Sequence, residues 1–444
     1  MTPSLEAAPG KIRSIDPSRF NRAMAAISLL ILSTVVAVRT ARSPLEYFDF
    51  PQYYAAGLMV RLGHAGALYP LPNPHSPWNA GYPEGSSLKP KYSQIARQYG
   101  VPVDAYRFIQ PPQAAMFYVP LSLLPIQMAH YLFLGLLTLC GWWAAIQGGE
   151  CYERLIGRPS VGSGWLVFLI STSPLMFLSV RTGNTTLLTA PLFGAAVNGI
   201  LLRRDVRAGL GSCLGSVLKI FPGSLMLVAI VAGRWRALAW FVASNALLLI
   251  LAIAVIGVAP FHEFAASIVP TLSRPTADIG NQSLAAFLLA VSHRDVLSSS
   301  TLRILETSRW AALSVSFIVL WRRRRAVRAE PQRMIAGAAL ILAIIFIFSP
   351  LTWTHYTSLF FPLSGWIAWE ARQRRSAAIA AAAVAVLTWF PIHVALHTIH
   401  VTIHIPEPFA SLTLWALLLI AGLSFLRVIA PKGDQLSSGI PVAC

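Results

Sequence analysis

The sequence predicts an all-α polytopic membrane protein: one helical bundle with about ten full spans, a re-entrant hairpin, and interfacial helices in a long first outer loop. Three observations predict it. Of 444 residues, 55% are hydrophobic and only 12% are charged, too little polar surface to wrap a soluble core of that size. The apolar residues fall in runs about 20 residues long, the length that crosses bilayer hydrocarbon as a helix. The lysines and arginines are gathered in short loops between those runs rather than spread over a surface.

Taken in order, the chain opens with a basic tail, 1–20, carrying Lys11, Arg13 and Arg19. The first apolar run, 21–38, has the basic leader of a signal peptide but no small-residue cleavage site after it, so it reads as an uncleaved span. Further spans are expected at 127–147, 162–180, 184–201, 236–258, 306–321, 332–348, 354–370, 376–395 and 409–429. Segment 208–232 is also apolar but is interrupted by Lys219 and Pro222. With the N-terminus cytoplasmic, the loops at Arg154/Arg158, Arg203 to Arg207, Arg322 to Arg333 and Arg372 to Arg375 share that side only if 208–232 makes no net crossing. Pro222 also breaks a helix, and irregular backbone at depth must be buried in protein or line a cavity. A hairpin turning near Lys219-Ile220-Phe221-Pro222 satisfies both constraints.

This topology makes 21–430 a single integral-membrane domain between cytoplasmic tails at 1–20 and 431–444. Segment 39–126 is the first outer loop. Pro70, Pro72, Pro74, Pro77 and Pro83 mark its turns, and its aromatics lay it on the membrane. Its last part, 114–126, is too short to span and holds two prolines, so an interfacial or re-entrant helix is expected there. Segments 259–305, 352–357 and 396–408 are the other outer stretches.

The formal net charge of +18 is not a nucleic-acid footprint, because the cations sit where they set topology; anionic headgroups and an anionic lipid phosphate are the expected acidic partners. Cys140, Cys151, Cys213 and Cys444 match no metal-ligand spacing, and no structural disulfide is expected. His393, His397, His400 and His404 would share one face if their segment were helical, a pattern able to bind metal, but only Glu407 is near as an acid. No metal or other cofactor is expected.

Acids are scarce on the outer side, and Asp49 stands out among them, set between Phe48 and Phe50 and followed by Gln52, Tyr53 and Tyr54. A carboxylate among aromatics at the membrane surface is partly desolvated and becomes a better base. It can equally be an interfacial carboxylate satisfied by N–H groups at the start of the helix after Pro51. His355, in "SPLTWTHYTSLFFP", is either a donor chargeable near neutral pH or a structural histidine among interface aromatics. Lys219 lies inside an apolar stretch, where a charge needs a partner. It can meet an anionic phosphate from the hairpin tip, or pair with carbonyls freed at Pro222. Arg107, Gln110, Asn184, Asn281, Gln282 and Ser283 gather on the same side, able to bond sugar hydroxyls or to cap helices.

The stretch "DFPQYYAAGLMVRLGHAGALYP" after the first span is similar to glycosyltransferase family 87. So are "YRFIQPPQAAMFYVPLSLLP", "RTGNTTLL", "LKIFP" before "GRWRAL", "NQSL" and "SPLTWTHY", in order from Phe48 to Pro362. The family includes polyprenyl-phosphate-mannose-dependent α-1,2-mannosyltransferases. The resemblance implies a type C glycosyltransferase fold in a bacterial inner membrane, with the active site facing the periplasm or cell exterior. It implies a polyprenyl-phosphate sugar donor, a lipid or glycan acceptor, and membrane lipids as surroundings. Asp49 matches the family's catalytic aspartate, His355 the histidine of its Trp-x-His element, and Lys219 the lysine of its Lys-x-x-Pro element. Gly183-Asn184 stands where the family usually has Gly-Gln, and the 70–106 insert is long and proline-rich.

The implied reaction is inverting transfer of a hexose, with mannose the first expectation. Asp49 would take the acceptor hydroxyl proton, and Lys219, His355 and Arg107 would receive the leaving phosphate. Gln52, Tyr53, Tyr54, Gln110, Asn184, Asn281, Gln282 and Ser283 would contact substrate. The rival reading is a transporter or flippase, since a broken helix with a mid-membrane lysine also marks substrate sites. The lack of inverted repeats and the length of the first outer loop count against it.

Overall fold

Most helix ends in this chain fall where proline, glycine or a capping serine places them. The computed structural model describes residues 16–42, 49–69, 78–79, 82–83, 89–102, 108–276, 280–294, 296–373 and 412–430. Helix α1 (Pro17–Arg42) starts on a proline, which has no N–H to leave unpaired in a first turn. The first loop holds α2 (Phe50–Arg61), a two-residue antiparallel ribbon of β1 (Trp78–Asn79) and β2 (Tyr82–Pro83), and α3 (Pro90–Gln98). Next, α4 (Ile126–Ile156) runs to Gly157, whose left-handed backbone (φ 78°) closes it. Ser160 caps α5 (Val161–Ser171) and Ser173 caps α6 (Pro174–Arg181), the two meeting at a 42° bend.

Then come α7 (Thr186–Leu201), α8 (Asp205–Leu218), a 3₁₀ turn at Phe221–Ser224, α9 (Leu225–Val231) and α10 (Trp235–Ile256). Short α11 (Ala259–Glu263), a π turn and α12 (Val269–Leu272) lead to α13 (Leu284–Ser292), capped by Ser283. The remainder is α14 (Ser299–Arg322), α15 (Arg324–Ala329), α16 (Pro331–Phe348), a 3₁₀ run at Thr354–Leu363, α17 (Ser364–Gln373) and α18 (Leu412–Ile429).

The described chain is nearly all helical. Five of its helices, α1, α4, α10, α14 and α16, are long and apolar enough to cross a membrane, and the bent α5–α6 pair makes a sixth if counted as one span. About ten had been expected. The shortfall has local causes: α7 has only 16 residues, and the stretch expected as 354–370 begins as a 3₁₀ run around Pro362 before becoming α17. The expected span at 376–395, the four histidines from His393 to His404, and the tails at 1–15 and 431–444 lie outside the described residues. At 114–126 the chain forms two short 3₁₀ pieces, Pro112–Tyr118 and Leu121–Leu123, instead of a regular interfacial helix. Pro111, Pro112, Pro120 and Pro125 lack the N–H groups a continuous ladder needs.

The two ends of segment 208–232 lie together. The Arg234 guanidinium, at the start of α10, reaches the Asp205 carboxylate at the start of α8 at 2.7 Å, so the ends of the hairpin are tied together. Arg333 donates to the carbonyls of Val428 and Ala430, Arg427 pairs with buried Glu370, and Arg154 bonds Asn198, so this end of the bundle gathers the basic loops. Asp49 lies at the other end, its N–H bonded to the Thr182 carbonyl beyond α6.

Small residues let the backbones approach closely where α4 meets α17. A Cβ on Gly365 would fall inside contact distance of the Gly148 carbonyl oxygen and the Tyr152 nitrogen, both backbone atoms that cannot swing aside. Gly135, on the same α4, has open space around its Cα. Gly365→Ala is therefore expected to cost about 1–3 kcal/mol or more by overpacking and to lower the thermal midpoint of the detergent-purified protein. Gly135→Ala should leave it unchanged or slightly raised. Equal midpoints for both variants would show that the close crossing is not needed.

Candidate active site

Asp49 is the residue before α2, with Pro51 in the first turn behind it. That position usually asks an aspartate to cap the helix, but its carboxylate makes no bond to the first-turn N–H groups. Instead it accepts from two side-chain amides: Gln52 Nε2 at 3.1 Å and Asn184 Nδ2. Asn184 has no freedom to turn away. Its amide oxygen accepts from the Thr186 N–H at 3.0 Å and the Thr186 hydroxyl at 2.6 Å, so its NH₂ must face Asp49. Burial pushes the Asp49 carboxyl above the usual carboxylate range. The Asn184 bond, the charge on Lys219 and the Gln52 bond each pull it part of the way back.

Helix α2 is buried from Phe50 to Met59, deeper than an interfacial helix would be, because the 3₁₀ segment at 112–118 lies over it. Tyr53 stacks on Tyr118 with ring centroids 4.9 Å apart. Gln110 is fully engaged: its NH₂ donates to the Thr185 hydroxyl at 2.8 Å, its side-chain oxygen accepts from the Tyr118 hydroxyl at 2.7 Å, and its carbonyl accepts from Tyr69 at 2.7 Å. This network fixes the floor under Asp49. Tyr54 turns elsewhere, donating to the Leu124 carbonyl at 2.7 Å.

Lys219 ends α8 in an extended conformation at the hairpin tip. Its ammonium donates to the Tyr356 hydroxyl at 3.3 Å and lies 4.4 Å from the centre of that ring. It does not use the carbonyls freed at the Pro222 break. The Tyr356 ring is buried against Phe221 (5.3 Å) and Phe346 (6.2 Å), and His355 meets its edge at 4.9 Å. Tyr356 is thus a core residue of the site rather than an interface-belt aromatic. The lysine is coupled electrostatically to Asp49 on one side and His355 on the other. His355 Nε2 and Gln52 Oε1 are buried and meet no hydrogen-bond partner among the described residues, which leaves both able to receive a bound molecule.

Asn281, Gln282 and Ser283 hold the segment carrying His355. The Asn281 side chain accepts from the Thr352 N–H at 2.8 Å and donates to the carbonyls of Pro350 and Thr276, each at 3.0 Å. The Gln282 N–H donates to the Thr352 carbonyl, and the Thr354 N–H to the Gly280 carbonyl. Ser283, not Asn281, caps α13. Asn281 and Ser283 therefore position the site through the 349–354 segment. Arg107 lies outside the described residues.

The sequence reading passed over Tyr356 as a partner of Lys219, and Thr185 and Tyr118 as supports of Gln110. Adjacency to His355 was the one available signal for Tyr356; Thr185 and Tyr118 carried none, because their partners are distant in the chain. Asn281→Leu would take a partner from the buried Thr352 N–H and from the part-buried carbonyls of Pro350 and Thr276. It is expected to cost on the order of 3 kcal/mol, read as a lowered thermal midpoint, and an unchanged midpoint would remove Asn281 from this bracing role.

Among the described residues, no group of three or more His, Cys, Asp or Glu side chains comes together as a metal site would require. What converges is one part-buried carboxylate, one lysine, one tyrosine hydroxyl and one histidine, at the end of an apolar helical bundle. A comparison with curated proteins returns no match. A model of glycosyltransferase family 87 matches residues 108–350, more than half of the 444-residue chain, covering Gln110, Asn184, Lys219 and Asn281 to Ser283. The helical membrane bundle and this match together establish the chain as a membrane glycosyltransferase belonging to glycosyltransferase family 87.

Proposed function

We propose that the protein transfers a hexose, mannose in the first instance, from a polyprenyl-phosphate sugar to a lipid-linked or glycan acceptor with inversion at the anomeric carbon. The reaction takes place at the outer face of a bacterial inner membrane. The observation that carries this reading is the pairing of Asp49, held by two amides, with Lys219 poised on Tyr356 beside His355.

The acceptor hydroxyl oxygen attacks the anomeric carbon while its proton passes to the Asp49 carboxylate. The bond from that carbon to the phosphate oxygen breaks, and the electron pair leaves with the polyprenyl phosphate. The Lys219 ammonium receives the growing phosphate charge and the His355 ring N–H donates to it, with Arg107 proposed as a second cation. Burial sharpens both interactions by keeping water from screening them. Gln52, Tyr53 and Gln282 are proposed to meet the sugar or acceptor. Asn184 acts on Asp49 itself, and Gln110, Asn281 and Ser283 act by positioning. Tyr54 is assigned no direct contact. Side-chain cations serve the phosphate in this scheme, so activity should survive EDTA. The outer-face orientation is supported by the gathering of arginines at the opposite end of the bundle.

Purified protein given radiolabelled polyprenyl-phosphate mannose and membrane lipid extract should form labelled product, with EDTA present in one arm. Asp49→Asn should lower the rate by on the order of 10²–10⁴-fold, and Lys219→Met by on the order of 10²–10³-fold. Product formation by Asp49→Asn at the wild-type rate would remove Asp49 as the base. No transfer from mannose, but transfer from another polyprenyl-phosphate hexose, would correct the sugar and leave the mechanism standing.

The pH profile tests the environment of Asp49. A base must be ionised, so activity is lost as pH falls through the carboxyl's raised pKa. That acidic limb should lie above the ordinary aspartate range near 4. Asn184→Ala removes a bond that favours the ionised form, so the limb should move further up in pH. A limb that stays in place in Asn184→Ala would separate Asn184 from the base.

A further inference from the structure

Four consecutive arginines, Arg322 to Arg325, join α14 to α15 at the end of the bundle away from Asp49. With Arg333 and the backbone at Ala430 they line a cavity of about 510 Å³. Among the described residues, two of the five have partners. Arg333 is buried, pairs with Glu330 at 2.7 Å, and donates to the Val428 and Ala430 carbonyls. Arg324 lies over the Trp321 ring at 5.0 Å and donates to its carbonyl. Among the described residues, no carboxylate pairs with Arg322, Arg323 or Arg325, and nearby Glu330 is already held by Arg333 and Gln332.

Like charges on a concave, low-dielectric wall repel one another and focus a positive potential into the space between them. A topology signal requires positive residues in a loop, not a cavity lined by them. The cavity lies where α14 and α16, both long and apolar enough to cross a membrane, end and begin, with the Trp321 indole exposed beside it. Exposed indoles at the ends of such helices favour the headgroup level. Guanidinium forks at that level match the paired oxygens of a phosphodiester.

We propose that this cavity binds the phosphate of an anionic membrane phospholipid, in the leaflet at the arginine-rich end. The occupant is neither donor nor acceptor, and the site stands independently of the proposed reaction. Its acyl chains would lie along the apolar surface of α14.

Protein purified in zwitterionic detergent and titrated with cardiolipin, phosphatidylglycerol or phosphatidylcholine tests this, with bound lipid counted by native mass spectrometry. Inorganic phosphate and pyrophosphate form separate arms read by thermal shift. Wild type should retain one anionic phospholipid in preference to phosphatidylcholine, and neither free anion should stabilise it at matched concentration. Arg323→Gln with Arg325→Gln should weaken retention about 30-fold, the effect of two headgroup-level charges. Arg323→Lys with Arg325→Lys keeps the charge that directs insertion but loses the planar fork, so retention should fall severalfold. If loss of charge impairs insertion, the lysine variant carries the test alone. Equal retention of phosphatidylcholine, or undiminished retention by the lysine variant, would overturn the proposal. Stabilisation by inorganic phosphate equal to that by lipid would assign the cavity to a free anion instead.

Discussion

A carboxylate removed from water tends to take up a proton and cease to be a base, and the site end of this bundle is organised around that difficulty. Asp49 is part-buried, and its desolvation drives the carboxyl up, yet the Asn184 amide, the Lys219 charge and the Gln52 amide each favour its ionised form. The decisive element is Asn184, because Thr186 holds its oxygen and so dictates which face of the amide meets Asp49. That bond also joins the first loop to the start of α7, while the Asp49 N–H joins it to the end of α6. Helix α2, the stacked Tyr53–Tyr118 pair and the Gln110 network all follow from holding this one group in place.

The opposite partner depends on a second constraint. Lysine in an apolar segment must find something to offset its charge. The hairpin of α8 and α9, fastened at its base by Arg234 and Asp205, delivers Lys219 to the ring and hydroxyl of Tyr356. Tyr356 in turn sits on the segment that Asn281 ties down. Two separate bracing systems therefore converge on one cluster of polar side chains from different parts of the chain, the arrangement that the proposed base and phosphate-binding group call for.

Much of this was legible in the sequence. The membrane class followed from composition, and the closeness of the two ends of 208–232 from the conflict between arginine-bearing loops and a straight crossing there. Asp49, Lys219 and His355 stood out as polar groups in apolar or aromatic surroundings, and the structure brings the three together. What stayed hidden depended on long-range contacts. Nothing local separates a capping Asp49 from one held by Asn184, 135 positions away, because both begin a helix at Pro51. Asn281 and Ser283 look alike as helix caps until the 349–354 segment is seen lying across them. The apolar run at 114–126 carries no mark that says 3₁₀ rather than helix except its prolines, and the span count was blurred by helices shorter than the apolar runs containing them.

The two ends of the bundle divide the labour, with titratable chemistry at one and fixed positive charge at the other. Among the described residues Asp49 has no second carboxylate beside it, since Glu263, on the same side, is taken by Lys89. The proposed role of Asp49 as the base calls for a single displacement, and the product's anomeric configuration tests that most directly. Transfer from β-linked polyprenyl-phosphate mannose, followed by NMR of the isolated product, should give the α-linked glycoside. A β-linked product would mean net retention, by two displacements or by attack on the face the phosphate leaves, and would contradict the account of Asp49 as a lone base on the opposite face.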